Sequence, residues 1–146
     1  MTRTAKTTEF SDILSDVFDI RDVIARFEEL EGMRENACTG ENDSEDEALL
    51  AEFDASDEGK EYAAIADFLG DVKGYGGDEQ WRGDWYPVTF IRDSYFTEYA
   101  EELVQDIGDL PNNIPDYIAI DWEQTANNIR QDYSSVEIDG DTYWYR

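Results

Sequence analysis

Apolar residues between Asp19 and Gly32 recur at three- and four-residue intervals, the spacing of one face of an α-helix. Asp19 is suited to cap the start of this helix, and Gly32 is suited to end it. The preceding residues, 1–8, are polar and predict a disordered tail. The apolar stripe consists of Ile20, Val23, Ile24, Phe27 and Leu30.

Two further helical patterns follow a polar stretch over residues 33–46 that is typical of a loop. Ser44 and Glu47 have the spacing of a capping box, and Leu49, Leu50 and Phe53 form a narrow apolar stripe after them. The next pattern ends at Gly70. Its predicted inner face consists of Tyr62, Ile65, Ala66 and Leu69.

Glycines are concentrated between residues 70 and 87, which predicts a loop at the boundary between two halves of the chain. The sequence GYGG superficially suggests a phosphate-binding loop. No Lys-Ser or Lys-Thr follows it, and Asp78 and Glu79 flank it, so the motif does not fit phosphate. We expect Trp81, Trp85 and Tyr86 to pin the loop onto the core.

After Pro87, the sequence predicts an extended segment through Val88, Phe90 and Ile91, then a helix capped by Asp93 and ended by Gly108 and Pro111. Asp121 is suited to cap another helix, which bears Trp122, Ala126 and Ile129. The residues expected to point into the core over this part of the chain are Tyr95, Phe96, Tyr99, Leu103, Val104, Ile107, Tyr117, Ile118 and Ile120.

The chain ends with a strong hairpin signal, in which Asp139-Gly140 supplies a two-residue turn. This register pairs Ile138 with Asp141 and places Val136, Ile138, Tyr143 and Tyr145 on one face, toward the helices. The sequence therefore predicts an α+β fold with N-terminal helices followed by a small helix-helix-β-hairpin module. The predicted divisions are a tail over residues 1–8, an acidic helical region over 9–77 and the module over 78–146.

Charge changes this picture, because 37 acidic residues against 11 basic ones give a formal net charge of −26 over 146 residues. Such an excess makes a compact chain repel itself. Direct binding of nucleic acid is excluded, since it requires Lys and Arg to neutralise phosphates. Residues 93–146 contain 13 acidic and two basic residues, and residues 33–60 contain 10 and two. The predicted partner is a basic protein.

The chain has no histidine, which excludes His-dependent triads and His-containing zinc sites, and its one cysteine, Cys38, argues against a Cys-based metal site. A lone cysteine fits a reducing cytoplasm, and no signal peptide or membrane span is predicted. We expect no enzyme, cofactor or bound metal. Asp43, Glu45, Asp46 and Glu47 resemble half a calcium loop, but Ala48 stands where glycine is required. A carboxylate-based hydrolase remains a weaker alternative.

The segment IRDSYFTEYAEELVQDIG, followed by IPDYIAIDWEQTANNIRQDYSSVEIDGDTYWYR, resembles the ArdA-type antirestriction proteins and related phage proteins. The similar features are an acidic helix ending at Ile107-Gly108, the Ile120-Asp121-Trp122 entry to a short helix and the closing hairpin. The resemblance covers residues 91–146. It implies an acidic, dimeric DNA mimic that occupies the DNA-binding cleft of a type I restriction-modification enzyme. The first 80 residues depart from the strand-led N-terminal module of that family.

These observations predict a phage or mobile-element protein that inhibits a host DNA-binding defence complex in the host cytoplasm. A restriction complex is the first candidate target and a CRISPR effector the second. The alternative is an assembly adaptor that binds a protein through aromatic residues near Trp81–Tyr86 or at Trp144. The resemblance implies these phosphate-mimicking residues: Glu98, Glu101, Glu102, Asp106, Asp109, Asp116, Asp121, Glu123, Asp132, Glu137, Asp139 and Asp141. The second acidic surface, over residues 33–60, adds the candidates Asp43, Glu45, Asp46, Glu47, Glu52, Asp54, Asp57 and Glu58.

Overall fold

A computed structural model describes residues 9–38, 43–108 and 114–146 and confirms the predicted α+β class. A 3₁₀ turn over Asp93–Tyr95 precedes the fifth helix. The helices are α1 (Phe10–Ile13), α2 (Ile20–Asn36), α3 (Asp43–Ala55), α4 (Asp57–Val72), α5 (Phe96–Asp106) and α6 (Trp122–Arg130). The strands are β1 (Val17–Asp19), β2 (Asp78–Trp81), β3 (Asp84–Tyr86), β4 (Thr89–Arg92), β5 (Ser134–Ile138) and β6 (Asp141–Tyr145).

Four antiparallel strands form the main sheet, in the order β1-β4-β6-β5. The C-terminal hairpin has the predicted register, with Ile138 opposite Asp141 and Val136 opposite Tyr143. Asp139 and Gly140 both have positive φ angles, as a two-residue turn of this type requires. Strand β1, which the sequence patterns did not predict, joins the sheet by pairing with β4.

Helices cover both faces of this sheet. On the first face, α2 and α4 pack against strand residues that include Phe18, Phe90 and Tyr143. Phe18 and Phe90 stack at 4.9 Å between ring centroids, and Tyr143 meets Phe18 edge-on at 5.1 Å. The predicted inward face of the hairpin is thus confirmed, with Ile138, Tyr143 and Tyr145 buried in this core.

Helices α5 and α6 cover the second face with a smaller core. Ile91 follows Phe90 in β4, and both are fully buried on opposite faces because side chains alternate along a strand. Phe96, Ala100 and Ala126 complete the second core, with Trp144 packed against it. Trp144 therefore faces away from Tyr143 and Tyr145, as predicted.

Several predicted boundaries in the N-terminal half are wrong. Helix α2 begins after Asp19, whose side chain accepts the Arg21 N–H at 2.8 Å as predicted, but it continues through Gly32 to Asn36. Gly32 has a helical backbone and open space around it, so nothing there ends the helix. Helix α3 already begins at Asp43, one residue before the predicted Ser44 cap. Helix α4 likewise passes Gly70 and ends at Val72, which is buried.

The glycine-rich segment is not simply a loop, because it contains the β2–β3 hairpin. Arg82 and Gly83 lie at its turn with φ angles of 52° and 78°. The sequence did not predict this hairpin, because the segment is rich in glycine and the two strands have only four and three residues. Trp81 and Tyr86 pack on the core as predicted, whereas Trp85 is 53% exposed.

Four predictions in the C-terminal third are also wrong. Asp93 caps no helix. It starts the 3₁₀ turn, and its carboxylate accepts the Trp144 indole N–H at 2.8 Å. Tyr117, Ile118 and Ile107 are exposed rather than buried, at 88%, 51% and 59%. Helix α5 ends before Gly108, which has a φ of 73°, as predicted; Pro111 lies outside the described residues.

Candidate functional site

The first group of predicted residues lies on and around the junction of α3 and α4, which we call the N-terminal acidic surface. Ser56 separates the two helices and caps α4 by accepting the Gly59 N–H at 3.1 Å. The helices approach so closely that a Cβ at Gly59 would lie 2.0 Å from the Phe53 carbonyl oxygen. Exposed carboxylates on this rigid junction are Glu45, Glu47, Glu52, Asp54 and Asp57, and Asp46 and Glu58 are half-buried.

Asp43 is the first residue of α3, but its side chain lies outside the described part of the structure. Asp54, by contrast with an uncompensated carboxylate, is paired with a cation. Its carboxylate pairs with the Arg34 guanidinium at 2.9 Å, and this hydrogen bond lowers the pKa of Asp54. Asp54 is therefore partly neutralised, and it serves to tie α3 to α2.

The second group forms the C-terminal acidic surface, on α5, α6 and the hairpin. Glu98, Glu102 and Asp106 are exposed and spaced four residues apart, so they form one row along α5. Glu101 is half-buried beside that row. The other exposed carboxylates of this surface are Asp116, Asp121, Glu123, Asp132, Glu137, Asp139 and Asp141, and Asp109 lies outside the described residues.

The second core holds these elements in place. Phe96 and Ala100, on the face of α5 opposite the acidic row, are fully buried against the sheet. The Asp121 carboxylate accepts the Gln124 N–H at 3.0 Å and so caps α6 as predicted. The Arg130 guanidinium lies over the Phe96 ring at 4.7 Å. The row of carboxylates on α5 therefore lies on a helix that is packed against the sheet, rather than on a loop.

Most basic side chains of the described residues form ion pairs with carboxylates that lie outside the two acidic surfaces. Arg21 pairs with Asp19, Arg82 with Glu31 and Lys73 with Asp84, at 2.6 to 3.2 Å. Arg92 contacts Asp16 at 2.9 Å and reaches Asp141 only at 3.7 Å. Within the described ranges, no ion pair engages Glu47, Glu52, Asp57, Glu98, Glu101, Glu102, Asp106, Glu123, Asp132, Glu137 or Asp139.

A cleft of about 700 Å³, which the sequence patterns did not predict, lies between α1, α2, α4 and the C-terminal hairpin turn. At its floor Arg26, which is 6% exposed, donates two hydrogen bonds of 2.7 Å to Glu61. The Glu61 carboxylate also accepts the Phe10 N–H at 2.8 Å. One feature of the sequence could have indicated this ion pair. Arg26 lies on the apolar face of α2, three residues after Val23 and four before Leu30, where a cation needs a buried partner.

This ion pair perturbs both groups. Burial raises the pKa of Glu61, but the hydrogen bonds from Arg26 and from the Phe10 N–H outweigh burial and leave the pKa below its ordinary value. The hydrogen bond to Glu61 raises the pKa of Arg26. Both groups are therefore charged at neutral pH.

Comparison of the chain with protein-family models, with curated proteins and with solved structures finds no match. Among the described residues, no group of three or more Cys, Asp or Glu side chains is arranged to hold a metal ion. No helix in the same ranges is both long and apolar enough to cross a membrane.

Proposed function

We propose that this protein is a non-enzymatic DNA mimic that inhibits a host DNA-binding protein by occupying its DNA-binding cleft. The observation that carries the proposal is the row of Glu98, Glu102 and Asp106, which is exposed on a packed helix and forms no ion pair with any basic residue that the structure describes. Carboxylates held in this way present a fixed pattern of negative charge to a basic partner.

The spacing of the row bears on how much of a DNA strand it can imitate. Four residues of α-helix rise about 6 Å, whereas successive phosphates of one strand rise about 3.4 Å. One row therefore supplies roughly half the charge density of a strand. A second, staggered row is needed. Glu101 lies beside Glu98 and Glu102, but Gln105 follows it four residues on, so the second row must come from other carboxylates of the C-terminal acidic surface.

The energetic gain would come from release of counterions, as in DNA binding itself. A net charge of −26 holds cations near the free protein, and a DNA-binding groove holds anions near its Lys and Arg side chains. Docking would release both sets of ions. The affinity should consequently fall as salt is raised, with a slope that reflects the number of charges engaged.

The first target to test is a type I restriction-modification complex, because the segment over residues 91–146 resembles the ArdA-type antirestriction proteins. A CRISPR effector is the second. Either target would place the protein in a host cytoplasm, with a phage or mobile element as its source. The possible homodimer implied by that resemblance is part of the same proposal.

Competition for DNA tests the proposal. A variant carrying Glu98→Gln, Glu102→Gln and Asp106→Asn should displace labelled DNA from the target at least about tenfold less well than wild type, as expected when several charged contacts are lost. The matched control carries Asp67→Asn, Asp71→Asn and Glu79→Gln. These residues are exposed, lie outside both acidic surfaces and change the net charge equally. Equal loss in both variants would refute a specific charge pattern.

A second candidate function, that of a protein-binding adaptor, is favoured by two exposed aromatic residues. Trp85 and Tyr75 are 53% and 60% exposed, and the Gly74 N–H joins their segments by donating to the Trp85 carbonyl at 2.7 Å. By contrast, Trp144 is tied to Asp93 and packed on the second core. For an adaptor, Trp85→Ser should abolish partner binding while the row variant on α5 retains it.

A further inference from the structure

The cleft above Arg26 and Glu61 lies where the two acidic surfaces meet. Asp57 and Glu58, from the N-terminal acidic surface, line one side of it. Asp139, from the turn of the C-terminal hairpin, lines another. At about 700 Å³, the cleft has the size of a site that can enclose a side chain together with its neighbours.

The lining of the cleft is amphipathic rather than uniformly charged. Apolar side chains contribute a large part of it, namely Phe10, Leu14, Met33, Ala64 and Ile138. Carboxylates of Glu9, Glu29, Asp57, Glu58 and Asp139 accompany them. An occupant that satisfies both parts of the lining must have an apolar body and a cationic head.

Arg26 is the one cation among the described residues of the lining, and it does not oppose such an occupant. Arg26 is held by two hydrogen bonds to Glu61 and a third contact to Glu29, so its charge is already matched by two carboxylates. Glu61 is in turn fixed by the Phe10 N–H. The floor is therefore locally neutral or negative, and the remaining carboxylates give the cleft a negative potential.

We propose that this cleft receives an arginine side chain, flanked by an apolar residue, from the basic protein that the mimic inhibits. The methylene groups of arginine would pack on Phe10 and Met33, while the planar guanidinium would pair with carboxylates of the lining. The inference rests on the proposed function, since it assigns an anchor to the same partner. Arginine is enriched among the residues that dominate protein interfaces.

The test uses blocked hexapeptides as probes, with binding to the full chain measured by calorimetry. A peptide of alternating leucine and arginine should bind at a single site. Peptides that alternate arginine with serine, or glutamate with leucine, should bind at least about tenfold more weakly because each lacks one half of the required chemistry.

A pair of variants locates the site. Ala64 lines the cleft and Ala63 does not, although both are exposed on α4, so Ala64→Arg and Ala63→Arg change charge and helix equally. Ala64→Arg should weaken binding of the leucine–arginine peptide at least about tenfold, and Ala63→Arg less than about threefold. Equal effects of the two variants, or equal binding of the arginine–serine peptide, would overturn the assignment of the cleft.

The same proteins separate failure of this inference from failure of the proposed function. If wild type displaces DNA from the target while Ala64→Arg and Ala63→Arg bind the peptide equally, the cleft assignment fails and the mimicry stands. If Ala64→Arg selectively loses the peptide while wild type never displaces DNA, the mimicry fails and the cleft remains a peptide site. Circular dichroism of each variant verifies the fold.

Discussion

Replacing Glu61 by Gln should destabilise the protein strongly, because it leaves Arg26 with an incomplete set of partners in a buried position. The Arg26 side chain is 7% exposed, and both of its 2.7 Å hydrogen bonds to Glu61 would lose their charged acceptor. Removing one partner of a buried ion pair costs about 3–5 kcal/mol. Since Glu29 remains beside Arg26, we expect about 3 kcal/mol, or a melting temperature roughly 10 °C lower.

The pH dependence of this loss identifies its cause. The pKa of Glu61 is lowered in the folded state, so its contribution to stability is complete above the unfolded pKa of about 4.3 and disappears as the pH falls through the folded value. The difference in unfolding free energy between wild type and Glu61→Gln should therefore be largest near neutral pH and shrink in acid.

Urea denaturation of both proteins across this range measures that difference. Replacing both partners by apolar residues, as Arg26→Met with Glu61→Leu, should cost less than Glu61→Gln alone because no buried charge is stranded. A neutral-pH difference below about 0.5 kcal/mol, or a difference that does not change with pH, would refute the reasoning.

Three further outcomes are expected. Addition of NaCl should raise the melting temperature of the free protein, because salt screens the self-repulsion of a −26 chain; a salt-insensitive melt would contradict dense acidic surfaces. Gly59→Ala should lower the free energy of unfolding by about 1–3 kcal/mol, because the new Cβ would meet the Phe53 carbonyl. Gly32→Ala should raise it by up to about 1 kcal/mol, because Gly32 has open space around it. Urea denaturation of both variants would show whether the two effects have opposite signs. Asp121→Ala should cost about 1 kcal/mol by removing the cap of α6, and Asp121→Asn should restore most of it in the same measurement.

Sequence patterns succeeded where local chemistry determines the structure. The Asp139-Gly140 turn fixes the register of the C-terminal hairpin, and alternation then assigns Tyr143 and Trp144 to opposite faces. Asp19 and Asp121 were recognisable as caps because a carboxylate before an apolar-periodic segment satisfies free backbone N–H groups. These features depend on residues close together in the chain.

The missed features depend on residues far apart in the chain. Strand β1 has three residues and pairs with β4, where Phe18 stacks on Phe90, a contact that no local pattern reveals. Arg26 and Glu61 are 35 positions apart in the chain, so the periodicity of apolar residues could not predict that they pair at the floor of the cleft. The expectation that Gly32 ends α2 is wrong. A glycine inside a helix costs only about 1 kcal/mol of stability, and the packing of Ile20 through Leu30 can outweigh that cost.

Most of the predicted acidic residues that the structure describes are exposed, but the sequence could not rank them. Asp54 is engaged by Arg34, and Arg92 lies within reach of Asp141. Glu98, Glu102 and Asp106 share one row, and over residues 9–38, 43–108 and 114–146 no cation pairs with them. The distinction matters because only a carboxylate without an internal partner can offer its full charge to another protein.

The central claim, that the acidic surfaces substitute for DNA phosphates, is tested most directly by the salt dependence of binding to a purified type I restriction-modification complex. The logarithm of the affinity of wild type should fall steeply and linearly with the logarithm of salt concentration. The row variant with Glu98→Gln, Glu102→Gln and Asp106→Asn should show a shallower slope, and the control with Asp67→Asn, Asp71→Asn and Glu79→Gln should keep the wild-type slope. Binding that is independent of salt, or identical slopes for all three proteins, would contradict the mimicry.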